Sequence, residues 1–252
     1  MLHLIFSCNL NNKLEPLDWI TCIVAALGHD AGHPGRDNLY LRETEDELTV
    51  IYNDHMILEN MHCAKIFNLF KQTGCNFASK IGKNDWRNFR ENLIDMILGT
   101  NFSTYQETAG KLKCLITEKM GNECFRVNDK PFILPIILKC ADVGHFGKEP
   151  RLYEKWSLLL LNEYMDLPED NFSDLILKND LEFHRNNAKF LKYIVLPLYQ
   201  AFESYISLQN KSIKQILKNL NKNKSLMFVA DTPVQSTTDN AIMMSTARQA
   251  FV

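Results

Sequence analysis

Apolar residues recur at three- and four-residue spacing along almost the whole chain, while the alternating pattern of a half-buried strand is scarce. That periodicity points to an all-α domain whose helices share a core. Pro16 and Asp18 mark a helix start, with Trp19, Cys22, Ile23 and Leu27 expected on its core face. Beyond a charged and partly irregular Arg36 to Glu47, the residues Ile57, Cys63, Ile66, Phe67 and Phe70 form a second apolar face. Trp86, Phe89, Leu93, Met96 and Ile97 form a third, ending at Gly99-Thr100. A weaker helical pattern covers Tyr105 to Lys119, and Gly121 to Asp129 reads as a polar connection. Phe132 to Cys140 is almost wholly apolar and is expected to be a buried helix. Tyr153, Trp156, Leu160 and Tyr164 follow at helical spacing, then Glu169 to Asp180 as a loop. A long pattern from His184 to Leu208 contains Pro197, which is expected to kink it. Ile213, Ile216, Leu217 and Leu220 lie under a lysine-rich face, and periodicity fades from Ala230 onward.

Composition narrows the class. With 252 residues and 46% hydrophobic content, the chain can bury a large core. A net charge of -2 carries no basic signature for nucleic acid. No apolar run is long enough for a membrane span. The 7 cysteines form no CxxC pair, and Cys22, Cys63 and Cys140 sit within apolar helical patterns, which predicts buried thiols in a reducing, cytoplasmic setting. The apolar start at Leu2, Leu4, Ile5 and Phe6 has no basic region of a signal peptide. It predicts a cover, either a preceding segment or a protein partner.

The chemistry concentrates at His29-Asp30-Ala31-Gly32-His33-Pro34-Gly35, where an apolar segment ends. Adjacent His and Asp side chains can face one ion only where the chain is leaving regular helix, and Pro34-Gly35 forces it to turn there. The competing reading is a polar helix end with a solvated turn. Glu59 and His62 are three apart and so share a helical face. Asp142 follows the buried helix, where a carboxylate is costly unless something pairs with it. A cation is one partner, and a solvated acid capping the next helix is the alternative.

His29, Asp30, His33, Glu59, His62, Thr100 and Asp142 thus come from four separate segments. Imidazole with carboxylates suits zinc or harder ions such as magnesium and manganese, and Asp30 could bridge two of them. Two ions held about 3.5 to 4 Å apart would acidify a water and neutralise a phosphoryl group. Hydrolysis of a phosphate ester is the inferred reaction.

The landmarks fall in a recognisable order: His29-Asp-x-x-His33-Pro-Gly-x-x-Asn38, Tyr52-Asn-Asp through Leu58-Glu-Asn-x-His62, Asp95-Met-Ile-Leu-Gly-Thr100, Lys139-Cys-Ala-Asp142, Leu152-Tyr-x-x-Trp156 and Phe190-x-x-Tyr-Ile-Val-x-Pro197-Leu198. Over nearly its whole length the chain resembles the C-terminal two-thirds of the class I 3′,5′-cyclic nucleotide phosphodiesterase catalytic domain. The resemblance implies a compact, all-α, HD-type domain over residues 1–228, lacking its first helices, and a tail at 229–252 that is extended or disordered. It implies two divalent ions, Zn²⁺ beside Mg²⁺ or Mn²⁺. By position His29, Asp30 and Asp142 would ligate the first, with Asp30 also touching the second. His33, Glu59 and Thr100 would orient waters on the second. Phe190 and Leu160 would pinch the purine, with Asn187 and His145 beside the base. The implied reaction is hydrolysis of cAMP or cGMP to a nucleoside 5′-monophosphate.

The chain also departs from the family pattern. The tyrosine-histidine-asparagine motif, which carries the general-acid histidine and a fourth ligand, belongs to a helix expected before Met1. Loss of a general acid commonly costs roughly 10² to 10⁴ in rate. Asn187 stands where the family uses glutamine, and His145 where it often has asparagine. Asn101, Phe102 and Tyr105 replace aspartate, methionine and histidine, and Met61 replaces another histidine. These differences support a second expectation: a catalytically impaired domain serving as a binding or structural subunit of an assembly.

Overall fold

A computed structural model describes residues 1–118, 129–165, 185–207 and 213–227. Every regular element among them is helical: α1 (Leu2–Ser7), α2 (Pro16–Gly28), α3 (Asn38–Glu43), α4 (Glu47–Tyr52), α5 (Ile57–Phe70), α6 (Lys83–Leu98), α7 (Tyr105–Glu118), α8 (Lys130–Asp142), α9 (Pro150–Met165), α10 (Leu196–Ser207) and α11 (Lys214–Met227). Short 3-10 turns at Phe77–Lys80, Phe102–Thr104 and Val143–Gly147 join some of them. The expected connection at 121–128, the loop from Glu169 to Asp180 and the tail at 229–252 lie outside the described residues.

Pro16 begins α2, and Glu15 and Asp18 form a reciprocal capping box around its first turn. Lys130 donates to Asp18 at 2.7 Å and to Glu15 at 3.3 Å, fastening the start of α2 to the start of α8. The buried face of α2 is not the expected one. Thr21, Cys22 and Ala25 turn inward, while Ile23 and Leu27 are 45% and 84% exposed. Small side chains let α2 close on its neighbours: a Cβ on Gly28 would lie 2.6 Å from the Ile66 side chain.

The charged stretch expected to be partly irregular holds the short helix α3 and leads into a second, α4, at Glu47. Asp37 caps α3 by accepting from the Tyr40 amide at 2.7 Å, and Asp46 caps α4 by accepting from Leu48 at 2.9 Å. The apolar start is covered in part by the described residues themselves. Leu4 and Ile5 are buried by the chain itself, leaving Leu2 and Phe6 exposed, with the Phe6 ring 5.8 Å from Trp19.

α5 and α6 follow their patterns. Phe89, Leu93, Met96 and Ile97 are buried, and the Phe67, Phe70, Trp86 and Phe89 rings pack at centroid distances of 5.6 to 6.3 Å. Trp156 is 52% exposed and so is not the core residue its spacing suggested.

Residues 185–207 are continuously helical, but with a π-helical turn at Leu191–Val195 just before Pro197. Proline has no N–H for the preceding turn and its ring crowds the carbonyl four residues back, so the helix widens there. α8 is buried along most of its length and ends on Asp142. Its last turn is braced from two sides: the Tyr105 hydroxyl donates to the Lys139 carbonyl at 3.3 Å, and the Tyr199 hydroxyl to the Cys140 carbonyl at 2.5 Å. Those bonds satisfy carbonyls near a helix end and fix the carboxylate that follows.

Candidate metal centre

His29 sits at the C-cap of α2, its amide bonded to the Ala25 carbonyl. Its Nδ1 donates to the Ala26 carbonyl at 3.2 Å, which orients the ring and leaves Nε2 facing outward. That Nε2 lies 3.3 Å from Asp142 Oδ1 and 3.4 Å from Asp30 Oδ2. The three ligand atoms all fall within 4.8 Å of one another, a spread that one ion can close. Burial alone would lower the His29 pKa, but Asp142, Asp30 and the Ala26 carbonyl outweigh it and raise it to about 9.

A second layer of groups surrounds Asp30. His62, buried on α5, donates from Nδ1 to the Ala31 carbonyl at 3.0 Å and turns Nε2 to within 3.8 Å of Asp30 Oδ1. His33 stacks on His62 at 5.6 Å and accepts the Gly35 amide on Nδ1 at 3.0 Å. Burial, with lesser repulsion from His62 and His29, holds His33 below its ordinary pKa despite Asp30. The turn that presents these groups needs Gly32 at φ 69°, where its carbonyl accepts from Lys65 at 3.0 Å.

Glu59, one turn before His62, is held by two side-chain amides. Asn38 donates to its oxygens at 3.1 and 3.3 Å, and Asn101 donates to Oε1 at 2.9 Å. Burial raises the Glu59 pKa, and these amides oppose that rise. Thr100 is buried, with its hydroxyl donating to the Ile97 carbonyl at 2.7 Å. Asp30, His33, Glu59, His62, Thr100 and Asp142 all line one cavity of about 390 Å³.

The structure therefore brings together all six residues expected at the ion site. It also gives contacts to His62, which belongs to the constellation expected from the sequence but is assigned there to neither ion, and to Asn38 and Asn101, for which the sequence suggests no role. The signal for His62 was its i, i+3 relation to Glu59, and for Asn38 its place in the first landmark. Asn101 offered only its difference from the family.

The four residues expected near a base are placed differently. His145 lines a second cavity of about 620 Å³, which shares Asp142 with the first. Burial, with Lys148 nearby, lowers its pKa to about 4. Phe190 is only 2% exposed, its ring 5.3 Å from Phe102 and 5.7 Å from Phe146. Leu160 packs half-buried against the core. Asn187 is buried beside Tyr153 and Ser157, and neither of its amide atoms makes a hydrogen bond of good geometry.

The helical fold, with a His-Asp cluster at the meeting of α2, α5 and α8, defines a candidate phosphohydrolase centre, and comparison with known proteins gives its class. Residues 1–220 match the 3′5′-cyclic nucleotide phosphodiesterase family, and the chain belongs to that family. It is 28% identical over 232 residues to the "Probable 3',5'-cyclic-AMP phosphodiesterase pde-4" of Caenorhabditis elegans, covering 88% of this chain and 34% of that protein. It is 29% identical over 210 residues to the human "High affinity cGMP-specific 3',5'-cyclic phosphodiesterase 9A", covering 79% of this chain and 34% of that protein. The chain thus spans about a third of the length of these relatives. The crystal structure of the phosphodiesterase domain of a RhoPDE fusion protein from the choanoflagellate Salpingoeca rosetta shares the fold. The TM-score is 0.71 at 21% identity, over 85% of this chain and 69% of that one. No helix among the described residues is long and apolar enough to cross a membrane.

Proposed function

We propose that the chain hydrolyses 3′,5′-cyclic nucleotides, cAMP or cGMP, to nucleoside 5′-monophosphates. The observation that carries this reading is the convergence of His29, Asp30 and Asp142 on one point at a cavity wall, in a chain of this family. The donor set fits divalent ions: an imidazole Nε2 oriented from behind by a backbone carbonyl, and carboxylate oxygens on its open side. His29, Asp30 and Asp142 would hold a zinc ion, and Asp30 would reach a magnesium or manganese ion beside it. Such ions supply Lewis acidity toward phosphoryl oxygens and acidify water.

The chain's own residues do the rest. Glu59, His33 and Thr100 orient water in the cavity, and the Glu59 carboxylate also accepts from Asn38 and Asn101. His145, neutral at physiological pH, lines the second cavity, where a base edge would lie. Asn187, Phe190 and Leu160 are assigned to the base by the family resemblance alone, since Asn187 and Phe190 are 1% and 2% exposed and Leu160 packs against the core. The tyrosine-histidine-asparagine motif is not within residues 1–252, so the proton for the leaving ribose oxygen is assigned to a group outside them.

The relatives described above are all named as phosphodiesterases, so the impaired-subunit alternative is not favoured. The test is chromatography of cAMP and cGMP after incubation with the protein and Mn²⁺. A nucleoside 5′-monophosphate that forms with the wild type and not with Asp142→Asn is expected. Ion binding with no product from either nucleotide would return the alternative.

A further inference from the structure

Lys139 lies in the last turn of α8 and is 1% exposed, yet no carboxylate pairs with it among the described residues. Its ammonium donates to Thr104 Oγ1 at 2.5 Å, to Thr108 Oγ1 at 3.3 Å and to the Asn101 carbonyl at 3.4 Å. It also stands 4.3 Å from the centre of the Tyr105 ring. All four partners belong to the segment 101–108, which leads from the Thr100 corner into α7. Burial pushes the Lys139 ammonium down to about 7, which reflects what it costs to keep a charge there. An apolar side chain of similar length would avoid that cost. What the ammonium secures is the position of the segment.

That segment delivers Asn101 to the metal cavity. The Asn101 Oδ1 accepts from the Ser103 amide at 2.9 Å and from the Ser103 hydroxyl, which fixes the plane of the side-chain amide. Its Nδ2 is thereby aimed at Glu59 Oε1. A run of contacts thus leads from Lys139 through the Asn101 turn to the carboxylate, with Asn38 holding the carboxylate from its other side. Asn38 has a second duty, because its Oδ1 accepts from the Leu58 amide at 2.9 Å near the start of α5. Asn101 and Lys139 have no contact of that kind with α5, so Glu59 is where their influence reaches the cavity.

We propose that Asn101 and Lys139 are positioning residues for Glu59, Lys139 anchoring the turn and Asn101 aiming the carboxylate into the cavity, an assignment that rests on the two-ion reading above. The expected effect follows the pattern for groups that orient metal-site side chains, whose loss commonly costs roughly 10- to 100-fold in metal affinity.

The test is Mn²⁺ affinity by electron paramagnetic resonance together with thermal melting, on the wild type, Glu59→Gln, Asn101→Thr and Lys139→Met. Threonine keeps a capping oxygen for Ser103 but is too short to reach Glu59, and methionine keeps the volume of the lysine stem. Lys139→Met is expected to melt at or above the wild-type temperature, and Lys139→Met and Asn101→Thr each to bind Mn²⁺ about 10-fold more weakly. In the Glu59→Gln background neither change should weaken binding further, because the carboxylate they aim is gone. Wild-type Mn²⁺ affinity in both variants, with Glu59→Gln weakened, overturns the proposal and leaves the two-ion reading standing. Lower melting with unchanged affinity shows a purely structural role and also overturns it. A wild type that binds no Mn²⁺ overturns both.

Discussion

His29 Nε2 stands 3.3 Å from Asp142 Oδ1 although 113 residues separate them in the chain. Without an ion, that proximity stabilises a proton on His29, whose pKa rises to about 9 from 6.5. A raised histidine pKa gives stability that is full below about 6.5 and lost as pH rises through about 9. Its size is about 3 kcal/mol. Lys139 acts in the opposite sense over an overlapping range, since its pKa is depressed to about 7. The informative quantity is therefore the difference in urea stability between ion-free wild type and His29→Gln. It should narrow by about 3 kcal/mol between pH 6 and 10. A difference that does not change with pH would count against the His29–Asp142 pairing.

His145 predicts the acid side. Its pKa is lowered to about 4 by burial, so the folded protein keeps it neutral while the unfolded chain protonates it near 6.5. Stability is then full above about 6.5 and falls as pH drops toward 4. His145→Asn should make the acid slope of the melting temperature shallower than in the wild type. Parallel acid slopes for the two proteins would contradict the burial of a neutral ring.

Gly32 carries φ 69° in the turn between Asp30 and His33. Alanine there must adopt a left-handed backbone, at a cost of roughly 1–2 kcal/mol. It would also displace the Lys65 ammonium, which now lies where the added Cβ would go. Gly32→Ala should therefore lower stability by that amount in chemical denaturation and weaken Mn²⁺ binding as well. Equal Mn²⁺ affinity would show that the turn does not set the geometry of Asp30.

Much of this was legible in the sequence because α5 and α6 carry their buried residues at clean helical spacing, and because the ion-site residues sit in short motifs. The buried face of α2 is not legible in the sequence because residue size runs opposite to burial there. Its larger apolar residues, Ile23 and Leu27, face out, and close packing is made by Thr21, Cys22, Ala25 and Gly28. α3 and α4 were hidden by charge, since their evidence is two Asp caps rather than an apolar stripe. Contacts of Asn101 and Lys139 link residues 38 or more positions apart in the Lys139–Asn101 and Asn101–Glu59 pairs, which no local pattern encodes. Trp156 had the spacing of a core residue, but spacing alone does not say which face a neighbour covers.

The central claim is that His29, Asp30 and Asp142 form an ion site with room for a second ion beside Asp30. Calorimetric titration of chelator-treated protein with Zn²⁺ and then Mn²⁺ tests it most directly. Two equivalents of divalent ion are expected in the wild type, with the tighter one lost in Asp142→Asn while the helical circular dichroism is kept. Absence of saturable binding in the wild type, or unchanged binding in folded Asp142→Asn, would contradict it.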